Sequence, residues 1–135
     1  MHKWFYYEIL SHTADFKVRF FGKNLNEFCK AIVSFFQNEI YIIENDSVDI
    51  YSTNLINNEE NLSYFIVEIL NEIIYFGEKN FTIMKIEEKT SNNFELSFCR
   101  HDFLEFKIEL KAATYHNLKM IGNLQNIQLE IVFDL

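Results

Sequence analysis

The segment DFKVRFFGKNLNEFCKAIVSFF, residues 15–36, contains the change of hydrophobic period that decides the fold class. In its first third, apolar residues alternate with charged ones, as is typical of a half-buried β-strand: Phe16, Val18 and Phe20. After Gly22 the apolar residues recur at helical spacing, and Asn24 with Glu27 three residues later resembles an N-cap with a capping box. The segment therefore predicts a strand followed by a helix that ends near Gln37.

The same two patterns continue along the chain. Alternation predicts strands around Phe5–Ile9 and within 39–52, and a second capping box at Asn57 and Glu60 predicts the longest helix, ending at Gly77. Later strands are expected over 81–88, 94–99, 103–116, 118–121 and 127–135. The resulting class is α+β, with two helices packed on a mostly antiparallel sheet of about seven strands.

Length and composition limit the possible functions. The 135 residues predict one domain, 1–135, and no apolar stretch is both long and free of charge, so neither a membrane span nor a signal peptide is expected. Cys29 and Cys99 are far apart and predict two reduced core residues of an intracellular protein. The formal net charge of −8 argues against direct nucleic-acid binding, which usually requires a basic surface.

Two polar places interrupt the strand patterns. Asp15 shares one strand face with Lys17 and Arg19, and its ordinary interpretation is a residue facing solvent. In ELKAATYHNLKM, residues 109–120, Lys111 precedes two small alanines that would tolerate the close approach of another group. The ordinary interpretation there is a hairpin with a solvated lysine and with His116 at its turn.

A third polar place is the pair Asp134 and Leu135. The Asp134 side chain and the α-carboxylate of Leu135 are hard oxygen donors of the kind that calcium and magnesium prefer. If Asp15 lay beside them, three anionic groups could hold one divalent cation. The alternative, favoured by spacing alone, is a frayed and solvated terminus.

Other chemistry has little support in the sequence. Three glycines provide no phosphate-binding loop, and four histidines without a paired Cys/His spacing argue against zinc. The triplet Arg100-His101-Asp102 is interpreted as a hairpin turn between apolar strands. Ser11 beside His12 is not a convincing nucleophile, because neighbouring strand residues point to opposite faces.

Taken together, the polar places resemble the archease family. The segments HTAD (12–15), KAATYH (111–116) and IVFDL (131–135) are similar to family motifs, and VEILNEIIYF (67–76) is similar to its long-helix segment. The ordered set spans nearly the whole chain. Two departures are Ser11, where many members have aspartate, and Ile69, where a tryptophan is common.

The resemblance implies a non-catalytic accessory protein of the RtcB-type RNA ligase of tRNA splicing. Such a protein promotes GTP-dependent guanylylation of the ligase and multiple turnover, and it meets tRNA halves only through the ligase. It implies a divalent metal, calcium first and magnesium or manganese as alternatives, bound by Asp15, Asp134 and Leu135. It also implies a role in activation for Lys111, with His12 and His116 as neighbouring signature residues. The expected location is the cytoplasm, or also the nucleus of a eukaryote.

Two other functions stay open at this stage. The chain could be a chaperone-like binding module for other RNA-processing or RNA-modifying enzymes, such as methyltransferases. It could also be a metal-dependent hydrolase acting alone, although the sequence shows no evident general base for that chemistry.

Overall fold

The computed structural model describes residues 4–11, 15–43, 49–58, 60–123 and 125–135. Helix α1 spans Leu25–Phe35 and continues as a π-helical turn, Phe36–Ile40; helix α2 spans Leu62–Glu78. The strands are β1 (Phe5–Ser11), β2 (Phe16–Gly22), β3 (Tyr41–Ile42), β4 (Asp49–Ile56), β5 (Phe81–Thr90), β6 (Asn93–Arg100), β7 (Glu105–Phe106), β8 (Ala112–Ala113), β9 (Lys119–Asn123) and β10 (Asn126–Asp134). Within these ranges no helix is long and apolar enough to cross a bilayer.

The strands form three antiparallel groups. The large sheet has the order β1-β2-β10, and both β8 and β9 pair with the far edge of β10. A three-stranded sheet has the order β4-β6-β5, and β3 pairs with β7. The predicted class, α+β with two helices and a mostly antiparallel sheet, is confirmed.

The predicted count of about seven strands is too low, because the described residues contain ten. The largest difference is the predicted strand 103–116, which is broken into the two-residue strands β7 and β8. These two strands have different partners, β3 and β10. One chain segment therefore crosses between two groups of strands and cannot stay in one regular ladder.

A core of buried apolar side chains joins both helices to the sheets. Phe16, Val18 and Phe20 are at most 1% exposed, so the alternation in the opening segment correctly predicts which face of β2 is buried. Both cysteines are free and buried, as predicted, and burial raises the pKa of the Cys29 thiol to about 12.

The start of α1 agrees with the sequence. The Asn24 side chain accepts a hydrogen bond from the Glu27 backbone N–H at 2.8 Å, which is the predicted N-cap. The Glu27 carboxylate binds Lys30 at 3.0 Å. The end of the helix differs, since Phe36–Ile40 forms a π-helical turn where β character was predicted from residue 39.

The predicted start of α2 is wrong by four residues, whereas its end at Glu78 is one residue beyond the predicted stop at Gly77. Its N-cap is Asn61, whose side chain accepts from the Ser63 backbone N–H at 3.0 Å, whereas the Asn57 backbone N–H donates to Asn92 O in a strand contact. Gly77 lies inside the helix, and Asn80, with φ of 71°, takes the left-handed position beyond it.

The triplet Arg100-His101-Asp102 is not a hairpin turn. Strand β6 ends at Arg100 and does not pair with β7. The His101 ring is largely buried, and its Nε2 lies 2.9 Å from Thr82 Oγ1. This histidine therefore links the residues after β6 to strand β5 through its contact with Thr82.

Candidate functional site at the end of β10

The C-terminal end of β10 lies between the start of β2 and the short strand β8. Phe133 is paired with Phe16 on one side and with Ala113 on the other, and Asp134 is paired with Ala112. Continuing the antiparallel register by one residue places Asp15 across from Asp134. The large sheet thus brings the start of β2, the end of β10 and the segment 111–113 next to one another.

Asp15 and Asp134 are both exposed at this end of the sheet. Phe16 and Phe133, the residues beside them, are buried, so alternation directs both carboxylates away from the core. Residues directly opposite on antiparallel strands have Cβ atoms about 4.5–5.5 Å apart. Two carboxylates at such a separation repel each other unless a cation lies near them.

Two cations of β2 on the same face of the sheet, Lys17 and Arg19, are engaged by other carboxylates. Arg19 Nη2 lies 2.8 Å from Glu130 Oε2, Arg19 Nη1 lies 3.4 Å from Glu8, and Lys17 Nζ lies 3.9 Å from Glu130 Oε1. The hydrogen bond from Arg19 holds the pKa of the Glu130 carboxyl below its ordinary value. Within the described ranges, neither Asp15 nor Asp134 forms an ion pair.

The chemistry of this donor set would fit a hard divalent cation, because its two carboxylates are exposed and, among the described residues, form no ion pair. Among the described residues no three His, Cys, Asp or Glu side chains form a cluster that could hold a metal. A cation here would therefore need further oxygen donors, such as the main-chain carboxylate of Leu135 and water.

Lys111 lies next to the carboxylates through its backbone. Its N–H donates to the Asp134 carbonyl oxygen at 2.8 Å. Its exposed side chain lines a half-open cavity of about 170 Å³, whose other polar side chains include Glu78 and Glu109. The structure thus joins Lys111 to the carboxylate end by its main chain, and the same residue lines a neighbouring cavity.

The remaining predicted site residues are placed differently. His116 is exposed on the turn between β8 and β9, where its N–H donates to Thr114 Oγ1 at 3.3 Å and its ring lies 3.2 Å from Asn117 Nδ2. Among the described residues, His116 forms no hydrogen bond or ion pair with Asp15 or Asp134. His12 lies outside the described residues, and Leu135 follows Asp134 in an exposed position.

Asn71, on α2, is a contributor to this end that was not identified from the sequence. Its Nδ2 donates to the Ala113 carbonyl at 3.1 Å, and its Oδ1 accepts from the Ala113 N–H at 2.8 Å. The side chain thus satisfies both backbone groups of one β8 residue, as a neighbouring strand would. The available signal was a polar, weakly helix-forming residue inside the apolar stretch of α2.

Replacing Asn71 by leucine is expected to lower the free energy of unfolding by about 2 kcal/mol, because a partly buried N–H and C=O lose their partners. Asn71→Asp keeps only the hydrogen-bond acceptor, so its free energy of unfolding should lie between those of the unaltered chain and Asn71→Leu. Urea denaturation measures the loss, and faster hydrogen exchange at the Ala113 amide locates it. Glu68→Gln, at an exposed position of the same helix, is the control. Equal stability of Asn71→Leu and the control would contradict this role.

The fold and this site together define a class: an acidic α+β protein with two exposed carboxylates, Asp15 and Asp134, at one end of its large sheet and with the Lys111 backbone bonded to Asp134. Residues 7–135 match the model of the archease protein family (MTH1598/TM1083). The chain therefore belongs to the archease family.

Two solved structures share the fold. An archease of Thermotoga maritima, described as a possible chaperone, is 21% identical, with a TM-score of 0.72 and coverage of 95% of this chain and 96% of that chain. The solution structure of Methanobacterium thermoautotrophicum protein 1598 is 20% identical, with a TM-score of 0.63 and coverage of 96% and 98%. No curated protein matches the chain significantly by sequence.

Proposed function

We propose that this archease is a non-catalytic activator of an RtcB-type tRNA-splicing RNA ligase in the cytoplasm. It promotes GTP-dependent guanylylation of the ligase and multiple turnover, and it meets tRNA only through the ligase. The observation that supports the proposal is the register of β10, which pairs Asp134 with Ala112 and which, if continued by one residue beyond Phe133↔Phe16, would set Asp134 opposite Asp15. Among the described residues, Asp15, Asp134 and the Lys111 backbone, which belong to three segments that resemble archease motifs, support the proposal by their nearness to the end of β10.

The proposed ligands of a divalent cation, calcium first, are the side chains of Asp15 and Asp134 and the main-chain carboxylate of Leu135. A cation held there would supply positive charge for phosphate oxygens. The Lys111 backbone is hydrogen-bonded to Asp134, which supports a role of this lysine near the proposed cation. The net charge of −8 supports encounter with a basic, RNA-handling partner.

The test is a ligation assay with the untagged chain, the RtcB-type ligase of the same organism, GTP, a divalent metal and cleaved RNA. The number of ligations per ligase molecule is expected to rise well above one only when the chain is present. Asp15→Asn and Asp134→Asn should each lower this stimulation by about tenfold or more, a loss of ~1.4 kcal/mol. Asp102→Asn, at an exposed aspartate in the loop after β6, is the matched control.

Calcium provides a second readout that does not depend on the ligase. A cation that binds only the folded chain raises its unfolding temperature, and the rise should be absent in Asp15→Asn and Asp134→Asn but present in Asp102→Asn. If both carboxylate variants, shown to be folded, stimulate the ligase as well as the unaltered chain does, the proposal is wrong.

The alternative is a chaperone-like binding module for other RNA-processing or RNA-modifying enzymes, such as methyltransferases. The description of the Thermotoga maritima archease as a possible chaperone favours keeping it. The same assay separates the two functions. A ligase that turns over freely and is unaffected by the chain would favour the binding module.

A further inference from the structure

Strand β4, Asp49–Ile56, is an edge strand of the three-stranded sheet. Among the described residues it pairs with β6 alone, in an unbroken register from Asp49↔Arg100 to Ile56↔Asn93. Natural edge strands are commonly protected by lysine, proline or a bulge. The stretch DIYSTNLI contains neither residue, and its register with β6 is regular.

The free edge of β4 is formed by the backbone of its even-numbered residues. Asn57, one residue beyond the strand, donates its N–H to Asn92 O at 2.7 Å, across the continued register. Because hydrogen-bonding direction alternates along a strand, odd-numbered residues face β6 and even-numbered ones face outward. The outward N–H and C=O groups are those of Ile50, Ser52, Asn54 and Ile56.

The sequence of β4 is self-complementary when two copies run antiparallel about Thr53. Ile50 then lies opposite Ile56 of the second copy, and Ser52 lies opposite Asn54. Tyr51 lies opposite Leu55, and Thr53 lies opposite itself. Apolar residues meet apolar ones and polar residues meet polar ones at every step, as a two-fold interface requires.

Charge also permits this pairing, although the chain is acidic overall. Asp49 is the one charged side chain of residues 49–57, and the same register places it opposite Asn57, so no like charges face each other. The even-numbered residues of the two strands provide about eight backbone hydrogen bonds, since each outward residue donates one and accepts one. Ile50 and Ile56, 70% and 60% exposed, would each gain an apolar neighbour.

We infer that two copies of this chain associate through β4, forming a continuous six-stranded antiparallel sheet with Thr53 on the two-fold axis. The interface uses the three-stranded sheet, whereas β2, β8 and β10 belong to the large sheet. The candidate site is therefore present once in each copy and contributes nothing to the pairing.

Sedimentation equilibrium of the untagged chain from about 1 to about 500 μM tests the association. The mass is expected to rise with concentration from 16.3 kDa toward twice that value.

Asn54→Lys should raise the dimer dissociation constant at least about tenfold, because a lysine on an edge opposes strand pairing. Within a monomer the new lysine faces Glu95 across the sheet, so the fold is preserved. Ser97→Lys adds the same charge to the same sheet face on the central strand and should leave the association unchanged.

Cysteine cross-linking tests the register. Thr53→Cys should form a disulfide-linked dimer under mild oxidation, because opposite Cβ atoms are about 4.5–5.5 Å apart. Asn54→Cys should cross-link far less, since the two copies of residue 54 are diagonal neighbours about 7–8 Å apart. The native cysteines are buried and give little background. A mass of 16.3 kDa at every concentration, equal effects of the two lysines, or equal cross-linking of the two cysteines would overturn the inference.

Discussion

Replacing Phe35 by alanine is expected to lower the free energy of unfolding by about 3–5 kcal/mol, the range for removing a buried phenylalanine ring. Phe35 is fully buried on α1 and lies at the centre of an aromatic cluster. Its ring centroid is 5.3 Å from that of Phe20, 5.8 Å from that of Phe133 and 6.2 Å from that of Phe16. The deletion therefore leaves a cavity between the helix and two strands of the large sheet.

The same substitution should also affect the candidate site, because Phe16 directly follows Asp15 and Phe133 directly precedes Asp134. Urea denaturation gives the free energy, and Phe35→Leu, with an expected loss of about 1 kcal/mol, covers the case in which the alanine variant does not fold. Tyr75→Ala removes a half-exposed ring and should cost less than about 1 kcal/mol. Equal losses for Phe35→Ala and Tyr75→Ala would show that the cluster does not support the fold.

Gly22→Ala is expected to destabilise the protein by about 3 kcal/mol or more, at or beyond the upper end of overpacking effects. A Cβ at this position would lie 2.1 Å from the Phe28 backbone nitrogen and 2.4 Å from its Cα. These are main-chain atoms of α1 and cannot move aside as a flexible side chain would. Gly22 is also held on both sides, by Phe5 of β1 and by Ile127 of β10.

Gly77→Ala is the matched control for Gly22→Ala. A Cβ at Gly77 meets only the Phe106 ring, at 3.5 Å, which is an ordinary contact. Alanine inside a helix is favoured over glycine by about 0.5–1 kcal/mol, so this variant should be as stable as the unaltered chain or more so. Thermal unfolding of the two variants checks the pair, and similar melting temperatures would contradict the predicted close contact at Gly22.

Gly22 also shows which of its properties a local sequence pattern can predict and which it cannot. The sequence predicts that a strand ends there, and β2 does end at Gly22. The requirement for glycine, however, arises from the first turn of α1 lying against it. That contact depends on the angle between strand and helix, which no periodicity specifies.

In the candidate site, too, some features could be predicted from local sequence and others depend on tertiary contacts. The exposed face of Asp15 could be predicted, because alternation along β2 is a local property. The residue pattern singled out Asp134, Leu135 and Lys111 as polar places, whereas their roles came from family resemblance and stay predictions. That Phe16 is paired with Phe133, next to Asp15 and Asp134, and that Lys111 is bonded to Asp134, follows from pairing between strands far apart in sequence. Asn71 was missed because its partner is the backbone of a distant strand.

The sequence by itself determined the α+β class, the strand and capped helix of residues 15–36, and the buried cysteines. These features depend on side-chain periodicity and on contacts within a few residues, which a single segment contains. Only the tertiary structure decided the division of 103–116 into β7 and β8, the π-helical turn and the free edge of β4. Each of these depends on which strand lies beside which, and that choice is made by packing over the whole chain.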